Sequence, residues 1–348
     1  MSGTAGEKGR GVLGVVIVNY RTAGMVSDCI ASLVGERVIA RDGERVDVRA
    51  VVVDNASGDG SLDRLQHAVR EHGCGDWVRV HGAERNGGFA YGNNVGTRVL
   101  RQWEEEEGWS AEAVWYLNPD TLVRSGVAAE LVRFLRQHSR VGVVGSGLVD
   151  SEGIEQAAAH RFPSPAVEMA NGAQLGVLDR WLGVRGDGNE RSVAHQCDWV
   201  SGASLMAREA VIRSVGGWNE EYFLYFEEVD LCKRVRAAGW EVWCEPGAKV
   251  VHLEGSATGI GERTRRRARY WFDSRRRFFR DHYGTGGMLL ADFLWLVGRG
   301  TLVARSFVRS AGKCGRPVQL PRRFASDLVL GDLWSVAGRD WWGRQAKR

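Results

Sequence analysis

A chain of 348 residues can bury a large core, as one enlarged domain or as two modest ones. An apolar share of 44% and a charged share of 26% exclude a disordered or fibrous protein; a net charge of +4 with confined basic residues argues against nucleic-acid binding. The charge is uneven: acidic residues crowd Glu104 to Glu107 and arginines crowd Arg263 to Arg280, which points to an anionic partner near the C-terminal part.

In chain order, Met1 to Gly11 is polar and glycine-rich, without the charged-then-apolar order of a signal peptide. Leu13 to Val18 is a continuous apolar run ending at Asn19, and Met25 to Val34 follows with helical spacing. Arg37 to Arg49 reads as a polar insertion. Further apolar runs cover Val48 to Val53, Trp77 to Val80, Ala113 to Leu117 and Val141 to Val144, with helix-like stretches between them. Buried runs alternating with helices predict an α/β fold whose sheet is mostly parallel, Rossmann-like and covered on both faces. Ligands then sit at the carboxyl ends of the strands, here Asn19-Tyr20-Arg21, Asp54-Asn55 and Asn118-Pro119-Asp120.

Residues 151 to 200 mix loops with few long periodic segments. Trp199 to Met206 then reads as a strand, Phe226 to Ala238 as a helix, and Glu241 to Cys244 and Lys249 to His252 as short strands. The chain is basic and helical to Tyr283, and Met288 to Val308 is an amphipathic helix or helix pair in a C-terminal helical appendage. Met288 to Val297 is interrupted by Asp292 and followed by Arg299, too short and polar to span a bilayer, so a soluble or surface-bound protein is expected. The six cysteines form no CxxC pair and read as reduced core thiols, which suits a cytoplasmic protein. The 14 tryptophans suit core packing or sugar stacking equally.

Five segments could carry chemistry. Asp120, at a strand end in a proline-stiffened turn, could bind a divalent cation carrying a diphosphate, or could only open a turn. Asp54 could accept a hydrogen bond from a base N–H, in a stretch that otherwise reads as a turn before a helix. Asn86 to Asn94 is glycine-rich before a helix, allowing close backbone approach to phosphate, although such a loop alone is weak evidence. Glu227, Glu228 and Asp230 open a helix, where the dipole explains them structurally and a base near an acceptor hydroxyl explains them chemically. His252 ends a strand, and a lone histidine is more often structural than a metal ligand.

Their order is more specific than any one of them. Val-Val-Ile-Val-Asn-Tyr-Arg, Val-Asp-Asn-Ala-Ser, Asn-Gly-Gly-Phe-Ala-Tyr-Gly-Asn-Asn, Leu-Asn-Pro-Asp-Thr, Gly-Gly-Trp-Asn-Glu-Glu-Tyr-Phe, Glu-Glu-Val-Asp-Leu and Ala-Gly-Trp follow one another. The set resembles family 2 glycosyltransferases of the rhamnosyltransferase-like branch, over roughly Leu13 to Tyr283. The resemblance implies a GT-A domain over 11–283, with a nucleotide-binding half at 11–150 and an acceptor-binding half at 151–260, followed by a helical extension at 284–348. It places Asn19, Tyr20, Asp54, Asn55, Arg85, Asn86, Gly88, Asn93 and Asn118 along the nucleotide. Asp120 matches the metal-binding aspartate of the family's DXD motif, whose first aspartate is Asn118 here, and His252 matches a histidine completing the metal site. Trp218 and Asn219 match an acceptor-side segment. Glu228 matches the catalytic base, with Glu227 and Asp230 beside it, although this chain has Glu-Glu where the family usually has Glu-Asp.

The resemblance further implies an inverting displacement with Mg²⁺ or Mn²⁺ as cofactor and a dTDP- or UDP-sugar as donor, rhamnose or a related sugar being transferred. The acceptor would be a glycan or lipid-linked intermediate of cell-wall or surface-polysaccharide synthesis. The arginines at Arg265 to Arg267 and Arg275 to Arg277 suit anionic headgroups or a pyrophosphate-linked lipid, or form a solvated basic face. Peripheral contact with the inner face of the cell membrane and homodimerisation both stay open. The rival readings are a secondary-metabolite glycosyltransferase and a noncatalytic membrane-surface protein. A nucleotidyltransferase would need a glycine-rich N-terminal loop, which the chain lacks after its first apolar run.

Overall fold

The computed structural model describes residues 11–37, 46–182, 192–253, 266–310, 323–339 and 341. Most of the polar insertion, Arg263, Arg265 and Cys314 lie outside these residues. The first part alternates as the apolar runs predict: β1 (Val12–Asn19), α1 (Ala23–Val34), β2 (Asp47–Asp54), α2 (Ser61–Glu71), β3 (Val78–Gly82), α3 (Gly88–Glu107), β4 (Ala111–Leu117), β5 (Thr121–Val123), α4 (Val127–Gln137) and β6 (Val141–Val149). Short elements follow: β7 (Glu155–Gln156), β8 (Ala159–His160), α5 (Pro165–Ala173), α6 (Gly176–Trp181), β9 (His195–Gln196) and β10 (Trp199–Val200). The chain continues through β11 (Ser204–Arg208), α7 (Glu209–Ser214), α8 (Glu227–Ala237), β12 (Glu241–His252), α9 (Arg269–Ser310) and α10 (Phe324–Val336).

The main sheet runs β3-β2-β1-β4-β11-β6-β12-β5. The pairs β1–β2, β1–β4, β2–β3 and β6–β12 are parallel, while β11 lies antiparallel between β4 and β6. A strand from the later part of the chain thus sits inside the sheet begun by the earlier part. Every residue of β1 is buried, because helices cover both faces of the parallel strands and a continuous apolar run satisfies both. On α1 the inward face is Val26, Cys29, Ile30 and Leu33, at three- and four-residue spacing. Each of its large aliphatic side chains contributes about 1.5–3 kcal/mol by leaving water. The register pairs Asn19 with Asp54 and Ile17 with Leu117, so the polar strand ends line one edge of the sheet.

Helix α4 starts at Gly126, which has no side chain to cap it. Glu36 supplies the cap from a distance, accepting hydrogen bonds from the backbone N–H of Gly126 (2.6 Å) and Ala128 (2.7 Å). Two strand boundaries differ from the sequence reading. The apolar run Trp199 to Met206 is broken between β10 and β11 by a turn containing Gly202. Conversely, β12 is continuous from Glu241 to His252, with its register against β6 shifting between Glu245 and Lys249, where Pro246-Gly247 falls.

Helix α9 kinks at Gly284, whose φ of 68° and ψ of 175° are not helical. The segment before the kink buries Phe272, Phe278 and Phe279, and the segment after it crosses α5 closely. A Cβ on Gly298 would come within 2.3 Å of the Met169 carbonyl oxygen, and one on Gly172 within 2.4 Å of the Trp295 carbonyl oxygen. The expectation that this region is too short and polar to span a bilayer needs correction. The helix continues past Val297, and Arg269–Ser306 is long and apolar enough to cross a membrane by length and composition. Asp292, which seemed to break the apolar run, faces inward onto Arg275.

The expectation of an anion-binding or solvated face is corrected in the same place for Arg275 and Arg276, whereas Arg277 stays partly exposed with Glu221 as its partner. Arg275 is fully buried and bridges Glu168 (2.9 Å), Asp292 (2.9 Å) and Asp332 (3.3 Å), joining α5, both segments of α9, and α10. Arg276 pairs with Asp332 and Asp273, and Arg266 grips Asp327 through two 2.7 Å bonds. Long charged side chains here are internal cross-links. Cys29, Cys74, Cys197, Cys232 and Cys244 are buried, with no disulfide between them.

Candidate active site

Asn19 ends β1 fully buried, and its amide organises the strand edge. Its Nδ2 donates to Asp54 Oδ1 (2.7 Å) and Ser57 Oγ (3.2 Å), while its Oδ1 accepts from the backbone N and Oγ1 of Thr22. Asp54 is therefore fixed from two sides, since Ser57 also donates to it through N and Oγ. Next to this pair Tyr20 is exposed, with the Arg21 guanidinium 5.1 Å from its ring centre. Asn55 is buried and donates to Asn86 Oδ1 and to the Gly88 carbonyl, both at 3.0 Å. Arg85 is exposed above the Tyr91 ring, whereas Asn93 is completely buried in α3 with no partner for either amide atom among the described residues.

Gly88 joins this loop to the far side of the site. Its φ is +86°, and a Cβ there would lie 1.9 Å from the Phe223 carbonyl oxygen, so no other residue fits. The next N–H, of Phe89, donates to that same oxygen at 2.8 Å.

Asn118, half-buried, donates its backbone N–H to Ala203 at 3.0 Å. Asp120 is 4% exposed, and its Oδ1 has no hydrogen-bond partner among the described residues. The β5–β12 register sets His252 opposite Thr121 and brings His252 Nε2 to 3.6 Å from Asp120 Oδ1. Gln156 determines the tautomer of that ring. Its Nε2 donates to the His252 carbonyl (3.2 Å), so its Oε1 is the atom 3.3 Å from His252 Nδ1, and Nδ1 must carry the proton. In the neutral ring Nε2 presents a lone pair to Asp120 Oδ1, which has no hydrogen-bond partner among the described residues; in the protonated ring the two would form an ion pair. Two lone-pair donors facing each other in a buried position fit a cation between them. Among the described residues no group of three or more His, Cys, Asp or Glu side chains could hold a metal. Further ligands would come from water or a bound diphosphate.

Glu227 and Glu228 open α8 after Tyr225 and Phe226, whose φ values of 71° and 69° are strained for aromatic residues. Glu227 is buried, Glu228 half-buried, and Oε2 of each lacks a partner among the described residues. Burial pushes the Glu228 carboxyl up to about 7, against backbone hydrogen bonds at the helix start. Burial first, and then the Glu228 charge, hold Glu227 well above the usual carboxylate range. Gly202 lies against Glu228, with a Cβ there 3.6 Å from Glu228 Cβ and 3.8 Å from its Cδ. The same turn carries Ala203, bonded to Asn118. One tight turn thus touches the carboxylate pair on one side and the Asn118-Pro119-Asp120 segment on the other.

Asp230 is turned elsewhere. It accepts from Arg234 (2.7 Å) and lies 3.0 Å from His282 Nε2, and although burial opposes it, these partners lower its pKa. Arg234 in turn donates to the Val215 and Gly217 carbonyls, so Asp230 braces the loop before α8. Trp218 also differs from its expected place on an acceptor surface. It is 2% exposed and packs edge-on against Phe89 and Tyr116, with its backbone held by the Asn94 side chain. It supports the site from beneath. Asn219 is half-buried, its side chain accepting from the Glu221 N–H.

Sequence reading missed Gly202, Gln156 and His282, and did not give Asn94 its role of holding Trp218. Gly202 interrupts an apolar run and carried a signal; the other three act through contacts more than fifty residues away.

No family model matches the chain. The N-acetylglucosaminyl-diphospho-decaprenol L-rhamnosyltransferase of Mycobacterium tuberculosis is 29% identical over 265 residues, 71% of this chain and 78% of that protein. Among solved structures, the mannosyltransferase PcManGT of Pyrobaculum calidifontis, in complex with GDP-Man and Mn²⁺, superposes with a TM-score of 0.55 at 15% identity, over 94% of this chain and 81% of that one. GalNAc-T7 with UDP, GalNAc and Mn²⁺ gives 0.54 at 12% identity, over 94% and 58%. This sheet and these solved structures show that the chain has a GT-A glycosyltransferase fold, and its sequence is similar to that of a rhamnosyltransferase.

Proposed function

We propose that the chain transfers a sugar, rhamnose or a close relative, from a dTDP- or UDP-sugar to a hydroxyl of a lipid-linked glycan in cell-wall or surface-polysaccharide assembly, with inversion. The observation that carries this reading is the Ser201–Ala203 turn, which has Glu228 on one side and Asn118, two residues from Asp120, on the other. A base and a leaving-group site on opposite sides of one fixed turn suit an in-line displacement. The homology to a rhamnosyltransferase acting on a lipid diphosphate supports the sugar and the acceptor class.

In this mechanism Asp54, fixed by Asn19 and Ser57, reads the base, and Gly88 lets the loop approach the nucleotide. Asp120 and His252 would hold a divalent cation, Mg²⁺ or Mn²⁺, which when bound neutralises the leaving diphosphate. Manganese in the two structural neighbours supports that cofactor. Glu228, with a carboxyl near neutrality, takes the proton of the attacking hydroxyl. Glu227, whose carboxyl burial and the Glu228 charge hold well above the usual range, lies beside it, and Asp230 positions the helix. The exposed apolar residues Leu290, Phe293, Leu296 and Val297 of α9 support peripheral contact with the membrane that carries such an acceptor.

Calorimetric titration with dTDP, UDP and GDP, with and without Mn²⁺, tests the donor half of the proposal. Metal-dependent binding of dTDP or UDP is expected, reduced at least tenfold in Asp120→Ala. Binding that ignores both metal and this substitution would overturn it.

A further inference from the structure

A cleft of about 570 Å³ opens beside the site, lined by the aromatic rings of Phe223 and Tyr270, by three arginines including Arg277 and Arg280, and by the carboxylates of Glu221, Asp273 and Asp281. It is separate from the Asp120–His252 pair, yet Phe223 belongs to both regions. The Phe223 carbonyl receives the Phe89 N–H and abuts Gly88, while its ring faces Tyr270 at 5.8 Å across the cleft wall. Ser274, on the same wall, donates to the Leu224 carbonyl and ties α9 to the loop that leads into Glu227. A ligand in this cleft therefore lies one step beyond the reacting centre on the α8 side.

The arginines of this stretch divide by role. Arg275 is consumed by its three buried carboxylates, and Arg276 by Asp332 and Asp273. Arg277 has one partner, Glu221, whose side chain is 67% exposed and can be displaced. Arg280 is half-buried and makes no hydrogen bond or ion pair among the described residues. Arg277 and Arg280 stand three residues apart on one helix face, so both guanidinium groups can converge on one ligand. Two such groups, one unpaired and one held by an exposed carboxylate, recognise phosphate oxygens. Beside the cleft, Ser335 of α10 lies between Leu333 and Val336, which are 47% and 44% exposed. A phosphate held at the arginines could carry an apolar chain out across that helix.

We propose that this cleft is the subsite for the diphosphate of a lipid-linked acceptor, with Arg280 and Arg277 as its phosphate contacts. The inference rests on the glycosyl-transfer reading and specifies what its acceptor must carry. The acceptor sugar lies toward Glu228, its diphosphate sits between Arg277 and Arg280, and its hydrocarbon leaves over α10. Glu221 competes with the phosphate for Arg277.

The full-length protein, saturated with dTDP and Mn²⁺ so that the donor site is filled, is titrated with undecyl diphosphate, with an uncharged undecyl glycoside and with inorganic pyrophosphate. The expected result is binding of undecyl diphosphate at least tenfold tighter than either control. Arg280→Gln and the Arg277→Gln/Arg280→Gln pair should weaken it at least tenfold while leaving dTDP affinity within twofold, and Glu221→Gln should tighten it. Equal affinity for undecyl diphosphate and undecyl glycoside, or no effect of Arg280→Gln, overturns the proposal. Pyrophosphate binding as tight as the lipid would make the cleft a free-anion site and overturn it too. Retained dTDP binding in those cases leaves the donor reading standing, whereas loss of dTDP binding in the unsubstituted protein would sink the reading on which the proposal rests.

Discussion

Glu227 and Glu228 titrate as a pair, because both carboxyls are withdrawn from water and Glu227 also sees the charge of its neighbour. With Glu228 near 7, kcat/KM should rise with pH through neutrality and level off above it, as the base loses its proton. Glu228→Gln should lower kcat by roughly 10²–10⁴-fold and abolish that rise; near-normal turnover in this variant would remove Glu228 from the mechanism. The same shift bears on stability. A carboxyl raised from 4.5 to about 7 holds a proton in the native state that the unfolded chain releases between those values, so stability falls as pH rises through this window. Glu228→Gln should therefore melt higher than the unsubstituted protein at pH 8, by roughly 2–4 °C, and gain little at pH 4. Melting curves at the two pH values decide it. At this scale the candidates were legible only through the order of the motifs, since Asp120, His252 and the Glu227–Glu228 pair each have a structural explanation when taken singly. The proton on His252 Nδ1 was not, because it depends on Gln156, which lies 96 residues away in sequence.

The crossing of α5 and α9 depends on backbone meeting backbone. Gly298 is packed against Met169 and Ala173, while Gly300, two residues on in the same helix, has nothing within 4 Å of where its Cβ would be. The two glycines should respond with opposite sign. Gly298→Ala should cost about 1–3 kcal/mol by overpacking, and Gly300→Ala should gain about 0.4–1 kcal/mol by restricting the unfolded chain. Urea denaturation of the two variants tests this, and equal effects would mean the helices do not cross so closely. Elements with continuous apolar runs, such as β1 and β2, could be read from sequence because burial on both faces leaves a plain signature. The split of β10 from β11 and the continuity of β12 could not be read. A glycine turn inside an apolar run and a proline-glycine interruption inside a strand both run against local propensity and are imposed by neighbouring strands. Asp292 misled for a similar reason, since a charge in an apolar helix looks like a break until its partner is known.

For the molecule as a whole, the carboxylates around Arg275 come from three helices and would repel one another without it. Arg275→Met should cost about 3–5 kcal/mol at pH 8, by stranding buried charge. Burial first, and the charge of Asp332, already push Asp292 up to about 7 despite the guanidinium, so this carboxyl is protonated at pH 5 and the penalty should shrink there. Denaturant midpoints at the two pH values test it; a penalty unchanged with pH would exclude the electrostatic cause. The α/β plan and the edge that carries the site followed from alternating runs and helices. The attachment of the C-terminal helices did not, since arginine-rich segments look alike whether they face solvent or buried acids.

One guanidinium shared by segments far apart in sequence also sets how the molecule opens. Fraying of α10 alone would leave Asp332 and Arg276 without each other and remove one of the carboxylates that balance Arg275, so the terminal helices should not exchange their amide protons as an independent foldon. Their protection should follow that of the first segment of α9, which Ser274 fastens to the loop before Glu227. Cutting the chain at Gly284 would then loosen the catalytic loop as well as remove an appendage.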